Sequence, residues 1–118
     1  MESWSLKYPT KCYNCGKLAD QIIEIYPNQA FVKCSNCGAT RYYILKKVYI
    51  DKDNIIETEK NRKGKYENWL LKKDAECYNC GVFGPQDILI TEYGMYVRCR
   101  NCGFTRYYQF HIMDIPNK

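Results

Sequence analysis

All eight cysteines of the chain stand in pairs, with two residues between the members of each pair. The first two pairs are Cys12, Cys15 and Cys34, Cys37; the last two are Cys77, Cys80 and Cys99, Cys102. Each half of the chain reads Cys-x2-Cys, 18 residues, Cys-x2-Cys, a spacing typical of a four-cysteine zinc site. Because four thiolates fill the tetrahedral shell of Zn²⁺, the pattern predicts two structural ions with no open position for catalysis.

Two other arrangements of these cysteines are compatible with the spacing. Disulfides would need an oxidising compartment, but Met1–Lys7 has an early acid and no apolar run, unlike a signal peptide. We therefore expect a cytoplasmic protein with metal-bound thiols. Pairs could also combine between the two halves, although combination within one half is more local. No stretch approaches the roughly 18 apolar residues of a membrane span, so we expect no membrane partner.

The two cysteine sets belong to a duplicated module. Glu2–Leu45 aligns with Glu67–Phe110 at a constant offset of 65 residues, with 21 of 44 positions identical and no gap. A module this small buries too little apolar surface to fold unaided, and metal binding would supply about 10–16 kcal/mol per site. We therefore predict a first metal-bound domain at 1–50, a linker with a hairpin and a basic loop at 51–66, and a second domain at 67–118.

Three short strands are predicted in each module. Residues with β-branched or aromatic side chains flank a turn between the cysteine pairs, as in Ile22–Val32 and Ile88–Val97. After the second pair, Thr40–Leu45 and Thr105–Phe110 favour a strand over a helix. The predicted fold class is therefore small, metal-bound and mostly β, with a three-stranded sheet in each of two tandem modules.

Each cysteine pair has the form Cys-x-Asn-Cys-Gly, which we call a knuckle. A chain that turns sharply around a metal needs residues that tolerate positive φ, and Asn and Gly tolerate it best. Such turns also direct backbone N–H groups at the sulfurs, which offsets thiolate charge. We therefore interpret the four asparagines as turn residues rather than recognition residues; they are Asn14, Asn36, Asn79 and Asn101.

The paired Cys-x2-Cys-Gly knuckles at residues 12–45 and 77–110 resemble those of the zinc-ribbon superfamily. The resemblance implies a tandem zinc-ribbon protein that holds two structural zinc ions. Members occur in archaeal and eukaryotic transcription factors, RNA polymerase subunits, ribosomal proteins and small archaeal or viral zinc proteins. Rubredoxins share such knuckles, but their second one usually has proline where Ser35 and Arg100 stand here. An iron electron carrier is therefore not favoured.

The strand after each second knuckle assigns its residues to two faces. Alternate residues of a strand point to opposite sides of the sheet. The side of Tyr43 and Tyr108 ends in an apolar residue in both copies, whereas the side of Tyr42 and Tyr107 ends in Gln109 in the second copy. We therefore expect Tyr43 and Tyr108 in the core and Tyr42 and Tyr107 at the surface.

A candidate nucleic-acid surface combines these outer tyrosines with nearby cations. Exposed rings can stack on bases while cations hold phosphates. The nominated residues are Lys33, Arg41, Tyr42, Lys60, Arg62, Lys63, Lys65, Arg98, Arg106 and Tyr107. Equally, Arg41 and Arg106 could only balance the charge of the metal centres, and the run at 60–65 could be a solvated loop. Net charge does not favour either interpretation, because eight thiolates and two zinc ions reduce the formal charge of +5 to about +1.

Residue patterns of an enzyme are missing from the sequence. The sole histidine, His111, lies in a predicted strand, and the chain has no glycine-rich phosphate loop and no leftover cysteine nucleophile. We therefore predict a nucleic-acid-binding protein, RNA before DNA, that acts in transcription, translation or their regulation and has no small-molecule substrate. The alternative is an adaptor that docks on a larger machine such as RNA polymerase or the ribosome, since fold alone does not set function.

Overall fold

A computed structural model describes the backbone of residues 3–50, 56, 61 and 68–112, and the side chains of these residues except 46–50 and 112. The fold is mostly β, as predicted. The described residues form eight strands, namely β1 Trp4–Lys11, β2 Leu18–Ile25, β3 Gln29–Cys34, β4 Thr40–Ile50, β5 Trp69–Glu76, β6 Phe83–Ile90, β7 Gly94–Cys99 and β8 Phe104–Ile112. No helix among the described residues has the length and apolar composition needed to cross a membrane.

Each copy of the repeat contains one more strand than predicted. In the first copy β1, β2, β3 and β4 pair in chain order, and each strand is antiparallel to the next. In the second copy β5, β6, β7 and β8 do the same. The extra strands, β1 and β5, precede the first knuckle. Their lysines and, in β1, Pro9 dilute the β-forming residues, which is why composition alone did not indicate them.

The chain groups into two compact units, one formed by Met1–Leu45 with Phe110–Lys118 and the other by Lys46–Gln109. The repeat places Phe110 in the second module, whereas its ring packs edge-on against Tyr43 of the first unit, with centroids 5.6 Å apart. Of the predicted linker, only Ile56 and Asn61 are described, and Ile56 has helical backbone where the hairpin prediction expected a strand. The predicted basic loop lies outside the described residues, apart from Asn61.

The core of each unit is one face of its sheet. In the first unit Ile23 lies opposite Val32, and Ile25 lies opposite Ala30, which in turn faces Tyr43. Residues directly opposite each other in antiparallel strands share a face, and all five are essentially buried. The residues at the offset of 65, Ile88, Ile90, Met95, Val97 and Tyr108, are buried in the same way in the second unit. The placement of Tyr43 and Tyr108 in the core is thus confirmed.

Candidate metal centres

The knuckles of the first unit lie in the connections β1–β2 and β3–β4, which places both at the same end of the sheet. The amide of Gly16 donates to the carbonyl of Cys12 at 3.0 Å, and that of Gly38 donates to Cys34 at 2.9 Å. Both glycines have positive φ, 74° and 80°, as the knuckle pattern predicts. These tight turns direct the cysteine side chains of one unit toward a common point.

The four sulfurs of the first unit have the spacing of a tetrahedral thiolate site. The Sγ atoms of Cys12 and Cys37 are 3.6 Å apart, and those of Cys15 and Cys34 are 4.0 Å apart. All four lie within 4.8 Å of one another. A Zn–S bond of about 2.3 Å in tetrahedral geometry requires sulfurs about 3.8 Å apart. The residues therefore fit a bound metal ion of this kind, and the four thiols are free rather than in disulfides.

The second unit repeats this geometry. Its Cys77 and Cys102 sulfurs are 3.7 Å apart, and its Cys80 and Cys99 sulfurs are 3.9 Å apart. These four ligand atoms also lie within 4.8 Å of one another. Each four-cysteine group thus forms within one repeat, and among the described residues the knuckles do not combine between the halves. The chain has two groups that could each hold one metal ion.

Backbone N–H groups point at the sulfurs, as expected. The amides of Asn14 and Cys15 lie 3.3 Å and 3.5 Å from the Cys12 sulfur. The equivalent amides of Asn79 and Cys80 lie 3.3 Å and 3.4 Å from Cys77. Such bonds stabilise the thiolate form and so favour metal binding.

The asparagine side chains have a role that the sequence interpretation missed. The Asn14 amide donates across the site to the Cys37 sulfur at 3.5 Å, and Asn36 donates in the reverse direction to Cys15 at 3.4 Å. Each asparagine therefore reaches a sulfur of the opposite knuckle. The second unit has the same crossed bonds, with Asn79 to Cys102 at 3.7 Å and Asn101 to Cys80 at 3.5 Å. Asn at the same place in all four knuckles was the signal that could have revealed this.

These contacts divide the thiols into two kinds. The Asn14 hydrogen bond lowers the pKa of Cys37 to about 6, and the Asn101 hydrogen bond lowers that of Cys80 to about 6. The Asn36 hydrogen bond likewise lowers the pKa of Cys15. Burial, in contrast, raises the pKa of Cys12 and of Cys77 to about 12. Each site therefore contains a preformed thiolate beside a buried thiol that must lose its proton to bind metal.

The two arginines nominated for phosphate contacts lie on the core side. Arg41 and Arg106 are only 8% and 6% exposed. The Arg41 guanidinium lies 5.5 Å from the ring centre of Tyr13 and 5.9 Å from that of Tyr43, and Arg106 lies 5.8 Å from Tyr108. The reason is the alternation along the strand, which puts each arginine on the side of the core tyrosine two residues later. Both guanidinium groups are therefore largely withdrawn from the surface, where a phosphate contact would need them.

The remaining nominated residues fall into two groups. Lys33 is exposed, and Tyr42, Arg98 and Tyr107 are half-buried. Lys33 and Tyr42 lie on the same outer face of the first sheet, opposite Thr40 and Phe31 respectively. The four cations of the basic run, Lys60, Arg62, Lys63 and Lys65, lie outside the described residues.

Comparison with known proteins identifies a relative. No protein-family model matches the chain, and no solved structure matches it. The uncharacterized protein MJ1158 of Methanocaldococcus jannaschii is 68% identical over 116 residues. The alignment covers 98% of this chain and 90% of the relative. Both four-cysteine modules therefore fall within the shared region.

Proposed function

This chain belongs to the same family as the Methanocaldococcus jannaschii protein, and we propose that it is a nucleic-acid-binding protein whose two modules are each held together by a structural zinc ion. RNA is favoured somewhat over DNA, and the process is transcription, translation or their regulation. One observation carries the proposal. The first unit exposes Lys33 on the same face as the half-buried ring of Tyr42, which is the face of its sheet that does not form the core.

The metal centres support a binding role rather than catalysis. Cys12, Cys15, Cys34 and Cys37 would hold one zinc ion, and the equivalent four cysteines would hold the other. Four thiolate ligands complete a tetrahedral shell, so bound zinc supplies folding free energy and no activated water. We therefore propose that the protein is not an enzyme. Elemental analysis should find two zinc atoms per chain, whereas iron with a visible absorption band would indicate a redox carrier.

Binding of a polyanion should depend steeply on salt. Cations that contact phosphates release counterions, so the logarithm of the affinity falls linearly with the logarithm of the salt concentration. We expect the zinc-loaded protein to bind a fluorescent RNA strand at about 50 mM salt and to lose most of that affinity by about 200 mM. A protein that leaves RNA and DNA unbound at the lower salt, in single-stranded and in duplex form, would contradict the proposal.

A protein-docking function has its own supporting observation. Apolar side chains at the first knuckle of the second unit are exposed, namely Tyr78, Val82 and Phe83, the last at 71%. Lys17 stands where the second copy has Val82, so the apolar surface is larger in that copy. Exposed apolar patches mark protein interaction sites. An adaptor should ignore free oligonucleotides and co-purify with a partner that a Phe83→Ser variant fails to retain.

A further inference from the structure

The outer faces of the two sheets carry the same pair of contacting, tilted rings. In the first unit Phe31 lies opposite Tyr42, with ring centroids 5.0 Å apart and planes at 33°. In the second unit Tyr96 lies opposite Tyr107, also at 5.0 Å and 33°. The duplicated module therefore builds one ring geometry twice, and what surrounds the pair differs between the copies.

In the second unit this pair is covered. Ile56 packs with Leu89, Tyr96 and Tyr107 in one apolar cluster, in which Ile56, Leu89 and Tyr96 are 2%, 0% and 7% exposed. Leu89 is the residue opposite Tyr96 on the neighbouring strand. The second copy thus uses its outer face for a contact with a segment that follows β4 in the chain.

In the first unit the pair belongs to a longer row of rings. Glu24 stands where the second copy has Leu89, and Phe31 is half-buried whereas its equivalent Tyr96 is buried. Tyr26 contacts Phe31 edge-on at 6.1 Å, and His111, which the unit includes, contacts Tyr42 edge-on at 6.3 Å. We call Tyr26, Phe31, Tyr42 and His111 the aromatic row. The second copy has Thr91 in place of Tyr26.

Hydrogen bonds hold two rings of the row, those of Tyr42 and Tyr26. The Tyr42 hydroxyl donates to Oε1 of Gln29 at 2.6 Å, and the Tyr26 hydroxyl donates to the Glu24 carboxylate at 3.2 Å. Ser5 donates to the same carboxylate at 3.1 Å. The carboxylate beside the rings is therefore held by two donors, and the hydroxyl ends of two rings are fixed.

Cations lie beside the row on the same face. Lys7 and Lys33 are exposed, and both lie opposite Ile22, one on each neighbouring strand. Lys33 is two residues from Phe31 along β3, which corresponds to about 7 Å between side-chain rows. A line of rings parallel to a line of cations complements a strand whose bases are splayed out on one side and whose phosphates lie on the other.

We propose that the aromatic row of the first unit binds single-stranded nucleic acid, with bases stacked on Phe31, Tyr42 and their neighbours and phosphates held by Lys33 and Lys7. Ile56 occupies the equivalent face of the second unit, so the two copies are not equivalent binding sites. This proposal rests on the proposed function and narrows it to single-stranded nucleic acid and to the first copy of the repeat. Stacking needs no 2′-hydroxyl, so RNA and DNA strands both fit the row.

The test compares matched variants of the full, metal-loaded chain by fluorescence anisotropy with labelled oligouridine, oligothymidine and a mixed-sequence duplex. Loss of one stacked base costs about 5- to 150-fold in affinity, so Phe31→Ala and Tyr42→Ala should each weaken single-strand binding by that factor. Tyr42→Phe keeps the ring and should bind within about twofold of the parent chain. Tyr107→Ala removes the equivalent ring, which packs against the Ile56 cluster of the second unit, and should also leave affinity within about twofold.

The cation row has a separate readout. Lys33→Gln should lower the slope of affinity against salt by about 0.7, the value for one phosphate contact on a single strand. Metal content of two ions per chain and an unchanged circular dichroism spectrum identify the variants that remain folded. If Tyr42→Ala alone is unfolded, Phe31→Ala and Lys33→Gln decide.

The outcomes separate the two proposals. If the parent chain binds no oligonucleotide, the proposed function fails together with the aromatic row. If the parent chain binds but Phe31→Ala and Tyr42→Ala retain full affinity, the aromatic row is not the binding site, although the proposed function still holds. The same conclusion follows if Tyr107→Ala weakens binding as much as those two variants do. Equal affinity for duplex and single strands would overturn the row in the same way. A selective loss in the first-unit variants supports it, whichever of the RNA and DNA strands binds more tightly.

Discussion

Removal of one crossed asparagine bond should weaken a single metal site without touching a metal ligand. Asn14→Ala deletes the side-chain amide that donates to the Cys37 sulfur at 3.5 Å, and it leaves the backbone N–H bond from residue 14 to Cys12 in place. The Asn14 contact is the main reason that the pKa of Cys37 lies at about 6, below its ordinary value. Without it, the Cys37 thiol holds its proton more tightly and competes with the metal.

The expected magnitude follows from two independent estimates. A hydrogen bond to a charged group contributes about 1.5–3 kcal/mol, which corresponds to about 10- to 150-fold in an equilibrium constant. Replacement of groups that hydrogen-bond to metal ligands typically costs about 10- to 100-fold in metal affinity. We therefore expect the affinity of the first site to fall about 10- to 100-fold, while the second site keeps its parent value.

Competition with a chromogenic chelator measures this directly. The parent chain should lose both ions over one range of chelator concentration, whereas Asn14→Ala should lose one of its two ions earlier. Asn79→Ala, at the equivalent position, should show the same early loss from the second site. Asn28→Ala is the control. Asn28 is exposed, and its backbone carbonyl accepts a hydrogen bond from the Leu45 amide, a contact that alanine keeps. If Asn14→Ala and Asn28→Ala release metal at the same chelator concentration, the crossed bond does not tune the site.

Three further outcomes are expected. The Tyr43 hydroxyl is buried and has no hydrogen-bond partner among the described residues. In chemical denaturation, Tyr43→Phe should therefore leave the free energy of unfolding unchanged or raise it by about 1 kcal/mol, whereas Tyr43→Ala should lower it by about 3–5 kcal/mol. The pKa of Cys12 is raised to about 12 and that of Cys37 is lowered to about 6, so metal binding near pH 7.5 should release the Cys12 proton but fewer than four protons per ion, a number that an indicator dye reports. Because the Cys12 proton competes with the metal, metal affinity should rise with pH. Gly16 has a φ of 74° and open space around it, so Gly16→Ala should lower the free energy of unfolding by about 1–2 kcal/mol through backbone strain alone. Gly84→Ala, in equally open space inside β6, should lower it less, and equal effects would contradict the strain argument.

Duplication left the metal chemistry of the two copies alike and changed their outer faces. The sulfur distances and the crossed asparagine bonds agree closely between the units. By contrast, Glu24 and Leu89 occupy equivalent places with opposite chemistry. The half-buried Glu24 carboxylate accepts hydrogen bonds, whereas Leu89 lies in an apolar cluster. A buried tetrathiolate tolerates little change, whereas a surface can take on a new partner by a few substitutions.

The sequence by itself determined the parts of this protein that depend on local covalent spacing. Cysteines two residues apart, with Asn between them and Gly after them, fold into the same knuckle at all four places in this chain, so the two four-cysteine groups and the positive φ of the glycines could be predicted. Alternation along one strand likewise placed Tyr43 and Tyr108 in the core. The duplication and the mostly β composition required only an alignment of the chain with itself.

Only the tertiary structure decided what lies on each face and what each side chain reaches. Strand alternation puts Arg41 on the side of Tyr43, but only the structure shows that it is 8% exposed and lies beside the ring of Tyr13. The asparagine amides bond to sulfurs about 20 residues away, in the opposite knuckle. Tyr42 and Tyr107 stand in the same Thr-Arg-Tyr-Tyr sequence, yet Tyr107 packs against a cluster that contains Ile56, whereas Tyr42 packs against Phe31 and His111. Local spacing sets the chemistry available, but burial depends on which distant segment packs against a face, and no short pattern encodes that.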